Sequence, residues 1–299
     1  MLLRATLDDL RLAAQPLTDG EAGDYDALLK LIGEARVVLL GVSSEGTHEL
    51  VRARAELTTR LIKEKGFTSV GVAANSPAID RLDSFVRGRT PDTLASDALT
   101  NFLQFPKWLW RNAEMLDFLG WLRNYNDQFA GDAHKVRICS VDLEAGAKVV
   151  VWEHSREAGD ARATDQGGTS LGQLARERHG RLAVLVNFST YAGTFVAASS
   201  DGAAPRRGVL PPAPPDSVEA VCHALELPRF YVPLRGASER LAEFLREPRL
   251  ERMMGAVYQP DNAPGNFIRA RLVDQFDALV HFDETRSLEP IDPSGSTGD

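Results

Sequence analysis

The stretch GVSSEGTHEL, residues 41–50, follows the apolar run VVLL and sets Glu45, His48 and Glu49 at one strand-to-helix junction. Carboxylates and imidazoles are the side chains that give and take protons near neutral pH, so the first chemistry to consider is acid/base. Two more polar clusters follow apolar runs: VAANSP, residues 72–77, and VWEHSREAGDARAT, residues 151–164, which carries His154. Each residue also has an ordinary structural reading. Glu45 suits a loop before a helix N-terminus, where the dipole favours its charge. His154 suits a hydrogen-bonded, half-buried position. The sequence contains no Gly-x-Ser-x-Gly elbow, phosphate-binding loop or His-Glu-x-x-His motif.

The elements that position these clusters follow from hydrophobic spacing. Continuous apolar runs predict strands at 36–42, 67–74, 136–143, 148–154, 182–190, 229–234, 253–259 and 277–285, with a further one at 193–202. Helical spacing predicts helices over 24–35, from Thr47 to a cap at Gly66, over 77–88, and over the aromatic-rich 105–127. Residues 1–24 read as an irregular or helical lead-in, and the Pro-rich 204–217 as a surface crossing. Unbroken apolar strands alternating with helices predict an α/β fold. Its central sheet is largely parallel and covered by helices on both faces. In such sheets ligands bind outside the carboxyl ends of the strands, where the three polar clusters fall. A single domain over 1–290 is expected, with 291–299 a disordered tail.

Bulk properties bound the function. The chain has 299 residues, 43% of them hydrophobic and 25% charged, which is ordinary for a globular protein with a sizeable core. A net charge of −8 argues against nucleic acid or an anionic membrane as partner. Cys139 and Cys222 lie in apolar contexts that read as buried, so no disulfide framework is expected. Metal-ligand spacing is absent, and neither a metal nor a cofactor is expected. No signal-peptide pattern and no membrane-spanning run appears, so a cytoplasmic location is expected. The Ala- and Arg-rich composition is of a bacterial, high-GC kind. No oligomer is read.

The order and spacing of these segments resemble the erythromycin esterase family. The segments are LLGVSSEGTHELVRARAELTTRLIKEKGFTSVGVAANSP, DRLDSFVRG, FPKWLWRNAEMLDFLGWLR, VVVWEHSREAGDARAT, LGQLARERHG, STYAGT and DQFDALVHFDETRSLEP, spread over residues 36–289. In that family the first junction reads Gly-Glu-x-x-His-Gly-Thr-x-Glu, and its Glu and His help activate water for attack on a lactone ester. Here the Glu position is Val42 and the His position is Glu45. The family's acid after the second strand is replaced by Ala73. Its Trp-x-His-Asn-x-His reads Trp152-Glu153-His154-Ser155-Arg156-Glu157, which keeps the first histidine and turns the second into Glu157. The arginine nine positions past the first histidine site survives as Arg54. Members usually carry a long helical insertion before the third strand, whereas only EAGAK separates Leu143 from Val149 here, so the helical cap is largely deleted.

The resemblance implies Glu45, His154, Glu157 and Arg54 as catalytic candidates, with His48, Asn75, Trp110, Tyr191 and Arg162 contacting substrate. Glu45 is expected to stay ionised and act as base, and Glu157 to act as acid. Three functions are consistent with these substitutions. One is a natural-product tailoring enzyme that closes a ring, eliminates or rearranges a lipophilic, polyketide-like molecule. Another is a hydrolase of carboxylic esters or lactones. The third is a catalytically inactive small-molecule binding protein.

Overall fold

The protein is described from a computed structural model, covering residues 2–18, 20–21, 23–74, 76–102, 106–143, 146–259 and 265–291. Asn75 and the tail from residue 292 lie outside the described residues. The chain opens with α1 (Leu2–Ala13), the short β1 (Gln15–Pro16) and α2 (Asp26–Ile32). Then come β2 (Val37–Val42), α3 (His48–Lys65), β3 (Ser69–Val72), α4 (Ser76–Val86), α5 (Ala95–Ala98) and α6 (Ala113–Asn126). The middle of the chain forms β4 (Arg137–Ser140), β5 (Val149–His154), α7 (Ser155–Ala158), α8 (Leu171–His179) and the long β6 (Ala183–Ala197). Next are β7 (Arg206–Leu210), α9 (Val218–His223), β8 (Arg229–Pro233) and α10 (Glu239–Arg246). β9 (Arg249–Arg252), β10 (Phe267–Ala270), α11 (Leu272–Gln275) and β11 (Ala278–Thr285) complete it.

The sheet runs β1-β8-β11-β6-β2-β5-β3-β4, with β7 paired to the far half of β6. From β11 to β4 every neighbouring pair is parallel, whereas β1, β8 and β7 join antiparallel. All six residues of β2 are buried, as a strand covered on both faces requires. One face packs Val38, Leu40 and Val150 under Leu29, Leu57, Ile79 and Leu119 of α2, α3, α4 and α6. The other packs Leu39, Val151 and Leu185 under Leu10, Ala175, Cys222 and Leu245 of α1, α8, α9 and α10. The chain therefore leaves β2 toward one face through α3 and leaves β5 toward the opposite face through α7 and α8. β2 and β5 are neighbours, so a crevice opens between their carboxyl ends, which is where open α/β sheets bind ligands.

Several sequence expectations change for local reasons. The helix expected over 105–127 is split, because the Asn112 side chain caps the Met115 amide at 2.8 Å and starts α6 there. Lys107–Leu109 form a separate single 3-10 turn. The expected strands 182–190 and 193–202 are one strand, β6, whose outer half pairs with β7 inside the Pro-rich segment. Residues 253–259 do not form the expected strand. Met254 and Val257 make isolated bridges to Ser44 and Ala198, so this segment lies across the top of the sheet. Among its described residues, the link from β4 to β5 contains no helix. Cys222 is buried, and Cys139 is partly buried rather than enclosed. Among the described residues no helix is long and apolar enough to cross a membrane.

The loop between β2 and α3 is fixed by backbone contact. The Gly46 carbonyl accepts hydrogen bonds from the Val196 and Leu288 amides, each at 3.0 Å. A Cβ on Gly46 would meet the Val196 carbonyl oxygen at 1.8 Å, so no larger residue fits without moving β6. Gly46→Ala should therefore destabilise the fold by about 2–3 kcal/mol or more, as overpacking against rigid backbone does. Gly120 lies in α6, and a Cβ added there would meet no atom within 4 Å. Gly120→Ala should instead gain about 0.5–1 kcal/mol from helix propensity. Urea unfolding of the two variants checks both signs.

Candidate active site

Glu45 lies in the loop after β2, Arg54 in the second turn of α3, and Glu153 and His154 at the end of β5. They meet in a cleft of about 270 Å³. Its apolar walls include Val42, Val51, Leu109, Trp110, Met115 and Trp152, with Ala73 at the end of β3 and Ala256 in the overlying segment.

Arg54 is held from both sides. Its guanidinium carbon sits 4.6 Å from the centroid of the Trp152 ring. The Trp152 indole donates to the Thr58 hydroxyl at 2.9 Å, and that hydroxyl donates to the Arg54 carbonyl at 2.8 Å. The aromatic platform and the helix turn that carries the arginine are thus tied together. Desolvation lowers the Arg54 pKa to about 10, against the pull of Glu45 and Glu153.

Both carboxylates are shifted the other way. Burial raises Glu45 to about 7, opposed by Arg54 and by the Ala256 amide. Burial also raises Glu153 to about 7, helped by the charges of Glu157 and Glu45 and opposed by Arg54 and the His154 amide. The helix N-terminus expected to keep Glu45 ionised is opposed by loss of water, because the apolar walls remove solvent that would stabilise the charge.

His154 lines the cleft and also makes a structural contact. Its Nδ1 accepts the Arg156 amide at 3.1 Å and caps α7. An accepting Nδ1 is unprotonated, so the proton of the neutral ring is on Nε2. Nε2 is buried beside the Met254 carbonyl without a partner of hydrogen-bond geometry among the described residues. Burial and the Arg156 charge push the ring down to about 4, and the Met254 carbonyl opposes them weakly. A pKa near 4 leaves the His154 ring neutral at physiological pH, where it caps α7 through Nδ1.

The other candidates are dispersed. Glu157 is exposed on α7, outside the described lining of the cleft, because the short helix turns it to solvent. Trp110 lines the cleft and packs on Phe102 at 5.1 Å between ring centroids. His48 projects from the opposite side of α3, where Nδ1 meets the buried Glu114 at 2.5 Å and is raised by it. Tyr191 stacks on His223 at 3.9 Å, and its carbonyl accepts from Arg252. Arg162 pairs with Asp160 at 2.6 Å. Glu153 is the residue that sequence reasoning misses. Its signal is a second polar residue, beside His154, closing an otherwise apolar strand.

The raised carboxylates make stability depend on pH. Between the ordinary carboxylate value of 4.5 and about 7, folded Glu45 and Glu153 hold protons that the unfolded chain releases. Their contribution is present below that range and is lost as pH rises through about 7. His154 works oppositely between about 4 and 6.5, since the unfolded chain then binds the extra proton. Glu45→Gln removes one ionisation. Calorimetry should show the variant melting above the parent at pH 8, with the difference shrinking toward pH 5.

Comparison with known proteins places the chain in a family. The erythromycin esterase profile matches residues 62–146 and 137–285. A Bacillus cereus protein of known crystal structure shares the fold with a TM-score of 0.83 and 18% identity, over 97% of this chain and 99% of that one. A crystal structure of a succinoglycan biosynthesis protein gives a TM-score of 0.81 at 14% identity, over 96% and 98%. The mutant erythromycin esterase EreC in its open conformation gives 0.55 at 12% identity, over 88% and 94%. With the profile matched across most of its length, this chain belongs to the erythromycin esterase family.

Proposed function

We propose that this protein is an acid/base enzyme of the tailoring kind, catalysing a ring closure, elimination or rearrangement on a compact lipophilic molecule. The observation that carries the reading is the pair Glu45 and Glu153, both raised to about 7 in one apolar cleft with Arg54. Two carboxylates near neutrality supply one base and one acid at the same pH. One removes a proton from the substrate and the other returns one, so no net proton or electron is consumed. Arg54 holds the substrate oxygen on which negative charge develops.

Hydrolysis of a carboxylic ester or lactone is the second reading, favoured by family membership. Several residues count against it. Val42 and Ala73 occupy positions where the family resemblance places acids, and the retained His154 spends its Nδ1 on capping α7. A cleft of about 270 Å³ is also near the lower end of small-molecule sites, roughly 300–1,000 Å³, and suits a compact ligand better than a macrocycle. Cytoplasmic activity on a polyketide-like substrate fits the acid/base reading.

Two measurements test it. Erythromycin should not be opened at rates ordinary for enzymes, on the order of 1–10 per second. Such turnover would restore the hydrolase. On a substrate found by screening, Glu45→Gln and Glu153→Gln should each cut turnover about 10²-fold or more, with the pH–rate profile of the parent centred near 7. If both variants form product at the parental rate, the acid/base assignment fails. If no small molecule is converted while ligands still bind, the cleft is a binding site.

A further inference from the structure

Among the described residues the Arg54 guanidinium meets the Trp152 ring but no hydrogen-bond acceptor. Among the described residues it makes no hydrogen bond and no ion pair, and its buried Nε has no acceptor. Glu45 and Glu153 are close enough to influence it electrostatically, yet neither pairs with it. Its face is covered by Trp152, which leaves the in-plane N–H groups free of the ring. Arg54 is partly buried, with its Nε enclosed, and a cation withdrawn from water is usually neutralised by a partner because desolvating an unpaired charge is costly. Here the guanidinium faces a cleft whose walls combine Glu45, Glu153 and His154 with apolar side chains.

We infer that the cleft binds a compact, largely apolar carboxylic acid, whose carboxylate docks in the plane of the Arg54 guanidinium beside Glu45 and Glu153. The inference rests on the acid/base reading of this site and names its ligand class. A planar, two-oxygen acceptor matches the guanidinium fork. One of the two carboxylates, once protonated, donates a hydrogen bond to the bound oxygens, where two ionised ones would repel them, and the other remains the base. The charged and titratable groups facing this position are Glu45 from the loop after β2, Arg54 from α3, Glu153 and His154 from β5, and Arg156 and Glu157 from α7. His154 stays neutral in the working range, and Glu157 and Arg156 are exposed, which leaves the two buried carboxylates to respond. Val42, Leu109, Trp110 and Met115 receive the apolar body. A phosphate dianion suits the site less well, because its second charge would face both carboxylates.

Calorimetric titration of the full chain tests the assignment with phenylacetate, 2-naphthylacetate, the two matching amides and phenyl phosphate. The acids should bind about 10-fold more tightly at pH 6 than at pH 8, the dependence of one proton taken up near pH 7. Two buffers of different ionisation enthalpy should report that uptake directly. The amides should bind at least 10-fold more weakly than the acids at pH 6. Arg54→Lys, with folding verified by its melting curve, should lose at least 10-fold in acid affinity while amide affinity changes little. Amides as tight as acids, affinity that rises with pH, phenyl phosphate outbinding both acids, unchanged affinity in Arg54→Lys, or no acid binding tighter than about 1 mM overturns the inference. Failure here with the Gln variants still losing turnover removes the ligand class alone. Acid binding as expected with parental turnover in both Gln variants removes the acid/base reading and leaves the carboxylate grip.

Discussion

The site depends on the contact between the Gly46 backbone and two strands of chain that are distant in sequence. One carbonyl receives Val196 from β6 and Leu288 from beyond β11. That double hydrogen bond places the β2–α3 loop, and with it Glu45, above the crevice. The neighbouring backbone repeats the arrangement: His48 donates its amide to the Arg286 carbonyl, and Thr47 bridges to Ser287. A loop bearing an ionisable side chain in an apolar cleft would otherwise swing toward water, where the charge is better solvated. Here its path is set mainly by backbone hydrogen bonds, helped by the Thr47 hydroxyl donating to the Ser44 carbonyl at 2.7 Å, so Glu45 can be exchanged without moving the loop while Gly46 cannot.

A second constraint operates beneath β2. A Cβ on Gly41 would stand 2.7 Å from the Ala158 Cβ, and one on Gly172 would stand 2.3 Å from the Ala158 carbonyl oxygen. Close packing of α7 and α8 on the sheet therefore fixes the turn after β5. Within that turn His154 closes the helix end, and Glu153 faces the cleft beside it. The same architecture holds an imidazole neutral and a carboxylate half-protonated one residue apart. Burial disfavours the charged form of both, which leaves the imidazole neutral and lifts the carboxylate, and the nearby charges of Glu157 and Glu45 lift Glu153 further against the opposing Arg54.

Much of this is legible in the sequence. Unbroken apolar runs locate β2, β3, β5 and β11, and Gly66, with φ of 68°, marks the end of α3. The family's spacing groups Glu45, Arg54 and His154, and they line one cleft. What escapes depends on geometry that spacing does not encode. The register at the end of β5 decides that Glu153 rather than Glu157 faces inward. Asn112 stops a helix that the aromatic pattern would run through. Whether Glu45 is ionised depends on how much water remains around it, and a helix-terminus rule applied to sequence cannot count that water. Tyr191 and Arg162 resemble cleft residues in their proximity to strand ends, yet each is absorbed by a nearby ring or acid.

The segment from Arg286 to Ile291 joins the β2–α3 loop to the start of α6, through Leu288 on Gly46 and through Glu289 and Ile291 on Ala113 and Arg111. It follows every strand of the sheet in the chain, so a ribosome makes it after all of them. During synthesis the sheet can pair and the helices can cover it while this clasp is still missing. The walls carrying Glu45 and Trp110 then lack their common anchor until the clasp arrives. Assembly of the cleft is thereby deferred until after the last strand of the sheet has been made, and a nascent chain that has not yet reached Ile291 would present no finished site to the small molecules around it.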